Sequence, residues 1–203
     1  MALTLDDIDR NPELVSSFDY FEGMLIHFRP LLPNDELKLT EFLENLSPQT
    51  REFSTYNSYD LDEARELCFA INRYDKLRLV GLINNEIIIA LFEFSLSIVE
   101  DEYERFAKKY NIILNEITDA RFGPCISDQY QNRHLGCWLF EKIKKIARQM
   151  GRERLILWGG VLSHNKRAIR FYEKAAKDGN AGALPPDLSL ITLEIALFSS
   201  ICL

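Results

Sequence analysis

Phe122-Gly123-Pro124-Cys125-Ile126-Ser127, the turn Tyr130-Gln131-Asn132-Arg133-His134-Leu135-Gly136-Cys137, and Asn165-Lys166-Arg167-Ala168-Ile169-Arg170-Phe171-Tyr172 decide the fold. The stretch from Phe122 to Tyr172 reads strand, tight polar turn, helix, strand and second helix. A turn that opens directly into an amphipathic helix aims several backbone N–H groups and the positive end of the helix dipole at one spot. The expected ligand is a phosphorylated cofactor. The helix after the turn carries Leu139, Ile143, Ile146, Ala147 and Met150 inward and Lys142, Lys144, Lys145 and Arg148 outward, with Gly151 as its C-cap. Leu155 to Val161 is almost continuously apolar, as in a strand buried on both faces. Ser163 can cap the last helix, which should run to about Ala176.

Working outward, Gly123 and Pro124 inside the strand Ala120–Ser127 predict a bulge or an edge with missing ladder bonds. Upstream, Met24–Arg29 reads as a strand and Glu36–Leu46 as a helix with Asp35 at its N-cap, stopped by Ser47-Pro48. A helix over Asp60–Asn72 follows. Leu77–Ile83 and Glu86–Phe94 form a hairpin turned at Asn84-Asn85, residues that tolerate positive φ. The charged segment Ser97–Leu114 predicts an inserted helix that borders a substrate cleft. Downstream, Lys177–Asp187 is a Gly-, Ala- and Pro-rich loop ahead of a closing strand over Leu190–Phe198, whose apolar face should be buried. Residues 1–23 form an acidic leader, and residues 24–203 one domain.

Composition narrows the function. At 203 residues, 47% apolar, the chain supports one sizeable core. A formal net charge of −7 argues against a protein whose main task is to hold nucleic acid, and suits a cationic substrate. Cys68, Cys125, Cys137 and Cys202 have neither zinc-site spacing nor the density of a secreted disulfide scaffold, which points to a reduced cytoplasmic setting. His27 and His164 read as structural, and no metal is implied. The start lacks the basic flank and apolar run of a signal peptide, and no apolar run has membrane-spanning length.

Gln131-Asn132-Arg133-His134-Leu135-Gly136 and Asn165-x-x-Ala168-x-x-Phe171-Tyr172 together resemble the two signature motifs of the GCN5-related N-acetyltransferases (GNAT). The resemblance spans Met24 to about Ala176 and extends to the order of elements. The family's turn is written Q/R-x-x-G-x-G/A; this chain has Gln131 and Gly136, but His134 replaces the first glycine. The resemblance implies an α/β (α+β) fold with a mixed, mostly antiparallel central sheet flanked by helices. It also implies direct transfer of an acetyl group from acetyl-CoA to a primary amine on a small molecule or peptide.

Carried over, the resemblance assigns backbone groups of Cys125 and Ile126 to the pantetheine arm. The amides from Gln131 through Asn132, Arg133, His134, Leu135 and Gly136 to Cys137 hold the pyrophosphate, with the Arg133 side chain as an added donor. Asn165 bonds the pantetheine. Tyr172, two helical turns away on the same helix face, is the general acid, since an ordinary phenol is protonated at neutral pH. The lysines of the helix after the turn could reach the 3′-phosphate. For the base, Arg121 stands near where relatives commonly have Glu, leaving Glu93 and Asp119 as candidates. The rival reading is an acyl-CoA-binding sensor or structural domain without turnover, motivated by His134 and the missing obvious base. Oligomeric state stays open, with a homodimer compatible with the resemblance.

Overall fold

The computed structural model describes residues 2–54, 56–69, 76–157, 161–162, 164–172 and 189–190. Its strands are β1 (Ser17–Phe21), β2 (Met24–Pro30), β3 (Lys76–Ile83), β4 (Ile87–Ser95), β5 (Asp119–Ile126), β6 (Arg154–Leu157) and β7 (Ser189–Leu190). They form one seven-stranded sheet in sequence order. Neighbours from β1 to β5 are antiparallel, whereas β5, β6 and β7 run parallel. The mixed, mostly antiparallel sheet expected from the sequence is present.

Helices flank the sheet: α1 (Leu5–Arg10), α2 (Glu36–Glu44), α3 (Pro48–Glu52), α4 (Leu61–Cys68), α5 (Glu100–Tyr110) and α6 (Leu135–Gln149). Residues 166–172 are also helical and are called α7. Strand alternation sends neighbouring side chains to opposite faces. Leu79, Phe92 and Phe122 pack with Leu139, Phe140 and Ile143 of α6, while Val80, Leu91 and Cys125 pack with Leu39, Leu43 and Leu67 of α2 and α4. None of the helices among the described residues is long and apolar enough to cross a membrane.

Local chemistry accounts for most boundaries. Asn84 and Asn85 take φ of 51° and 63°, a paired left-handed turn closed by Glu86 N–H on Ile83 O at 3.0 Å. Asp60 caps α4 by accepting from the N–H groups of Asp62 and Glu63. Asp35 stands at the N-cap of α2 without capping it. Its buried carboxylate is taken by the Arg29 guanidinium at 2.6 and 2.8 Å and by Leu32 N–H at 2.9 Å.

Four expectations change. The first 23 residues supply α1 and β1, and Leu5, Ile8 and Val15 are buried in the main core. Of the two expectations for Gly123-Pro124 the bulge is overturned: the β4–β5 pairing runs through Glu93↔Gly123 and Phe92↔Pro124 without a shift, the irregularity falls at Gly81/Leu82 in the β3–β4 pair, and the described β5–β6 pairing ends at Phe122↔Leu157. Inserted helix α5 packs with Ile98, Leu114 and Ile156 in a separate cluster and does not border the cavity described below. Lys144 is buried, its ammonium lying 5.4 Å from the Phe140 ring centroid and reaching Glu141 at 2.6 Å. The helix end near Ala176, the Ser163 cap, the loop Lys177–Asp187 and most of the Leu190–Phe198 strand lie outside the described residues.

Candidate active site

A cavity of about 620 Å³ lies where β5, the start of α6, α3 with the loop after it, and α7 converge. Of the residues singled out in the sequence, Cys125, Ile126, Gln131, Asn132, His134, Leu135, Gly136, Cys137, Asn165 and Tyr172 all line it. Arg133 does not. Its guanidinium turns outward to Glu22, with Nε at 3.0 Å, and lies 5.7 Å from the Tyr130 ring centroid.

The turn has the conformation an anion site requires. Asn132 and His134 take φ of 58° and 63°, so histidine does adopt the left-handed geometry that glycine would adopt more easily. His134 is the N-cap of α6, yet no side chain caps the helix. The first backbone bond runs from Trp138 N–H to His134 O, which leaves the amides of Leu135 and Gly136 without an intrahelical acceptor. Helices α1, α2, α4 and α5 carry acidic residues in their first turns, and α6 carries none. Its positive end opens on the cavity. Toward the protein itself a Cβ at Gly136 would make ordinary contacts, with Phe171 and Ile126 at 3.8 and 3.9 Å.

Beside the turn, Ser127 N–H bonds Ile89 O at 2.9 Å. From that anchor the antiparallel alternation directs the backbone of Cys125 to Leu91, and the backbone of Pro124 and Ile126 to the opposite edge. The Cys125 backbone is thus used by the sheet, contrary to expectation. Pro124 sits where its missing N–H costs the ladder nothing. Pairing between β5 and β6 reaches Phe122↔Leu157. Gln131 Nε2 donates to Ile126 O at 2.7 Å and to Thr50 Oγ1 at 3.1 Å. Gln131 therefore fastens the turn and is not held free for a ligand.

A side-chain network locks the same turn to α3. Asp128 accepts from Ser47 N–H at 2.8 Å, Ser47 Oγ at 2.6 Å and Thr50 Oγ1 at 2.6 Å. Burial pushes its carboxyl up, but these bonds outweigh it and hold the group below its ordinary value. Arg167 donates to Gln131 Oε1 and lines the cavity. Sequence reasoning missed Arg167 as a site residue, although its position two after Asn165 on the last helix was a signal.

Asn165 Oδ1 accepts from Ala168 N–H at 3.1 Å, so Asn165 caps α7 as well as lining the cavity. Tyr172 is buried in the main core against Phe171, with ring centroids 4.8 Å apart. Burial raises its phenol well above the ordinary value, so it stays protonated at neutral pH. Glu93 lines the cavity and is bonded by Arg78. Asp119 is fully buried outside the cavity, occupied by Arg154 and by Asn115 N–H at 2.7 Å. It is removed as a base candidate. Arg121 bonds Ser97 O at 2.8 Å and Ser95 Oγ at 3.1 Å. Lys142 reaches Asp19 and Ser17 of β1 and lies over the Trp138 ring. His27 stacks on Phe18, and His164 pairs with Glu52 at 2.9 Å.

The same architecture occurs in solved structures. The GNAT domain of Streptomyces lividans PAT aligns with a TM-score of 0.61 at 20% identity, covering 81% of this chain and 88% of that one. A putative acetyltransferase from Salmonella typhimurium, yncA with its cofactor acetyl-CoA, aligns at 0.53 and 17%, covering 74% and 78%. The aminoglycoside acetyltransferase AAC(6')-Ib in complex with coenzyme A and kanamycin aligns at 0.56 and 16%, covering 74% and 83%. These likenesses establish the fold. No curated protein matches the chain. The model of the Acetyltransferase (GNAT) family matches residues 39–176, about two thirds of the sequence and the whole of the cavity wall. The chain belongs to the GNAT acetyltransferase family.

Proposed function

We propose that this chain is an N-acetyltransferase that moves an acetyl group from acetyl-CoA to a primary amine. The observation that carries the reading is the bare positive end of α6, which opens into the same cavity as Asn165 and Tyr172. That donor set fits a pyrophosphate: the Leu135 and Gly136 amides without intrahelical acceptors, no acidic side chain in the turn, and the Arg167 guanidinium close by. Arg167 replaces Arg133 as the cation of the site. The neighbours solved with acetyl-CoA and with coenzyme A support the same cofactor class.

When bound, acetyl-CoA supplies an activated thioester acetyl group. The N–H of Ile126 and the C=O of Pro124 would hold the pantetheine arm as an added strand, with the Asn165 amide beside it. Tyr172 keeps a proton on its Oη and would supply it to the thiolate leaving group. Holding both reactants in one cavity makes the attack effectively intramolecular.

A second reading, acyl-CoA binding without turnover, is favoured by one observation: Glu93, the carboxylate in the deep wall, is already bonded by Arg78. Incubating the purified protein with acetyl-CoA and a panel of amines separates the two. Transfer releases free thiol in an amine-dependent way and yields an acetylated amine. A protein that is thermally stabilised by CoA but releases no thiol with any amine is a binding domain.

A further inference from the structure

Three residues form one row across the sheet: Arg78 of β3, Glu93 of β4 and Gly123 of β5. Arg78 bonds Glu93 through Nε at 2.8 Å and Nη2 at 2.6 Å, and both bonds fall on Oε1. Among the described residues Oε2 receives none. The Glu93 side chain is 12% exposed and forms part of the cavity wall. A carboxylate oxygen withdrawn from bulk water calls for a donor, and among the described residues only one of the two oxygens has one.

The third member of the row keeps the space beside Glu93 open. Gly123 stands directly opposite Glu93, and a Cβ built there would meet nothing within 4 Å. Its φ is not positive, so no backbone demand explains the glycine. Any side chain at this position would enter the cavity beside the carboxylate. Two aromatic residues, Phe53 and Tyr56, line the same cavity. The Tyr56 phenol, kept neutral by burial, belongs to the same cavity wall as Cys125, which lies on the Gly123 face of β5. Aromatic walls around a carboxylate suit an alkylammonium, which offers apolar carbons and a charge together.

We infer that Glu93 Oε2 and the open space over Gly123 form the acceptor seat, and that it takes a cationic alkylamine in preference to an uncharged arylamine. The inference rests on the transfer reading above and deepens it. Arg78 is a positioning residue: it fixes the carboxylate by one oxygen and turns the other to the cavity. Glu93 binds the ammonium head, and Gly123 admits it.

The test is a calorimetric titration of benzylammonium chloride and of aniline into CoA-saturated protein, for wild type, Glu93→Gln and Gly123→Val. Wild type should bind benzylammonium and reject aniline. Both variants should bind benzylammonium at least about tenfold more weakly while their affinity for CoA stays within about threefold of wild type. Gly123→Val retains the Arg78–Glu93 pair, so it reports on the seat even where Glu93→Gln folds poorly. Equal benzylammonium affinity in either variant, aniline bound as tightly as benzylammonium, or no benzylammonium binding to wild type would overturn the seat. Thiol release absent with every amine, while the titration behaves as described, would instead overturn the transfer reading and leave the seat standing.

Discussion

A carboxylate placed in the first turn of α6 should separate helix stability from ligand binding. Cys137→Asp adds a negative charge on the cavity wall, beside the Leu135 and Gly136 amides that no helix carbonyl uses. A charge at a helix N-terminus stabilises it by about 0.3–1 kcal/mol. The same charge faces the expected pyrophosphate. At an effective dielectric of about 20, two unit charges about 6 Å apart repel by about 3 kcal/mol, or about a hundredfold in Kd. Cys137→Asp should therefore unfold at an equal or higher denaturant concentration and bind CoA about a hundredfold more weakly. Cys137→Asn has the same shape without the charge and should stay within about fivefold of wild type in CoA affinity. Isothermal titration calorimetry and urea unfolding measure both quantities. Equal CoA affinity in the Asp and Asn variants would refute the placement of the phosphates at this helix.

Replacing Tyr172 by Phe should lower amine-dependent thiol release by about tenfold or more while leaving CoA affinity within a few-fold; unchanged turnover removes Tyr172 from the chemistry. His134→Gly relieves a left-handed residue at φ 63° and should stabilise the fold by about 0.5–1 kcal/mol without loss of CoA affinity, read by urea unfolding and calorimetry. Asp128→Asn leaves at least one of three donors facing an amide and should cost about 1–3 kcal/mol, and an unchanged unfolding midpoint would discount the α3 lock. Burial raises the Cys68 and Cys125 thiols from 9.0 to about 12. The unfolded chain gives up these protons first, so their contribution is intact below pH 9.0 and is lost as pH rises towards about 12; Cys68→Ala should flatten that fall in melting temperature.

The parts of the fold legible in sequence were those written in local chemistry. Asn84-Asn85 specifies its turn through positive φ, Asp60 caps its helix, and the stripe from Leu139 to Ala147 fixes the buried face of α6. The leader was misread because its apolar residues are few and scattered; Ile8 is buried only because the fold brings it into the main core, which no local pattern signals. Gly123-Pro124 suggested a bulge because either residue can break a ladder, yet pairing direction places the proline nitrogen away from β4. The ligand-facing side chains were harder still. Arg133 reads as a phosphate donor by its place in the motif, but Glu22, 111 residues away, claims it, and Gln131 is spent on Ile126 O and Arg167. Such choices depend on partners brought together by the fold, so the motif located the cavity without deciding which side chains serve it.

Amide-resolved hydrogen exchange with and without CoA tests the central claim most directly, because the claim concerns particular backbone N–H groups. The account predicts that saturating CoA slows exchange at Leu135 and Gly136 in the first turn of α6 and at Ile126 at the end of β5, with little change at Asp119 or across α5. CoA binding that leaves those three amides unprotected would contradict it, as would a protein on which CoA has no effect at any concentration tried.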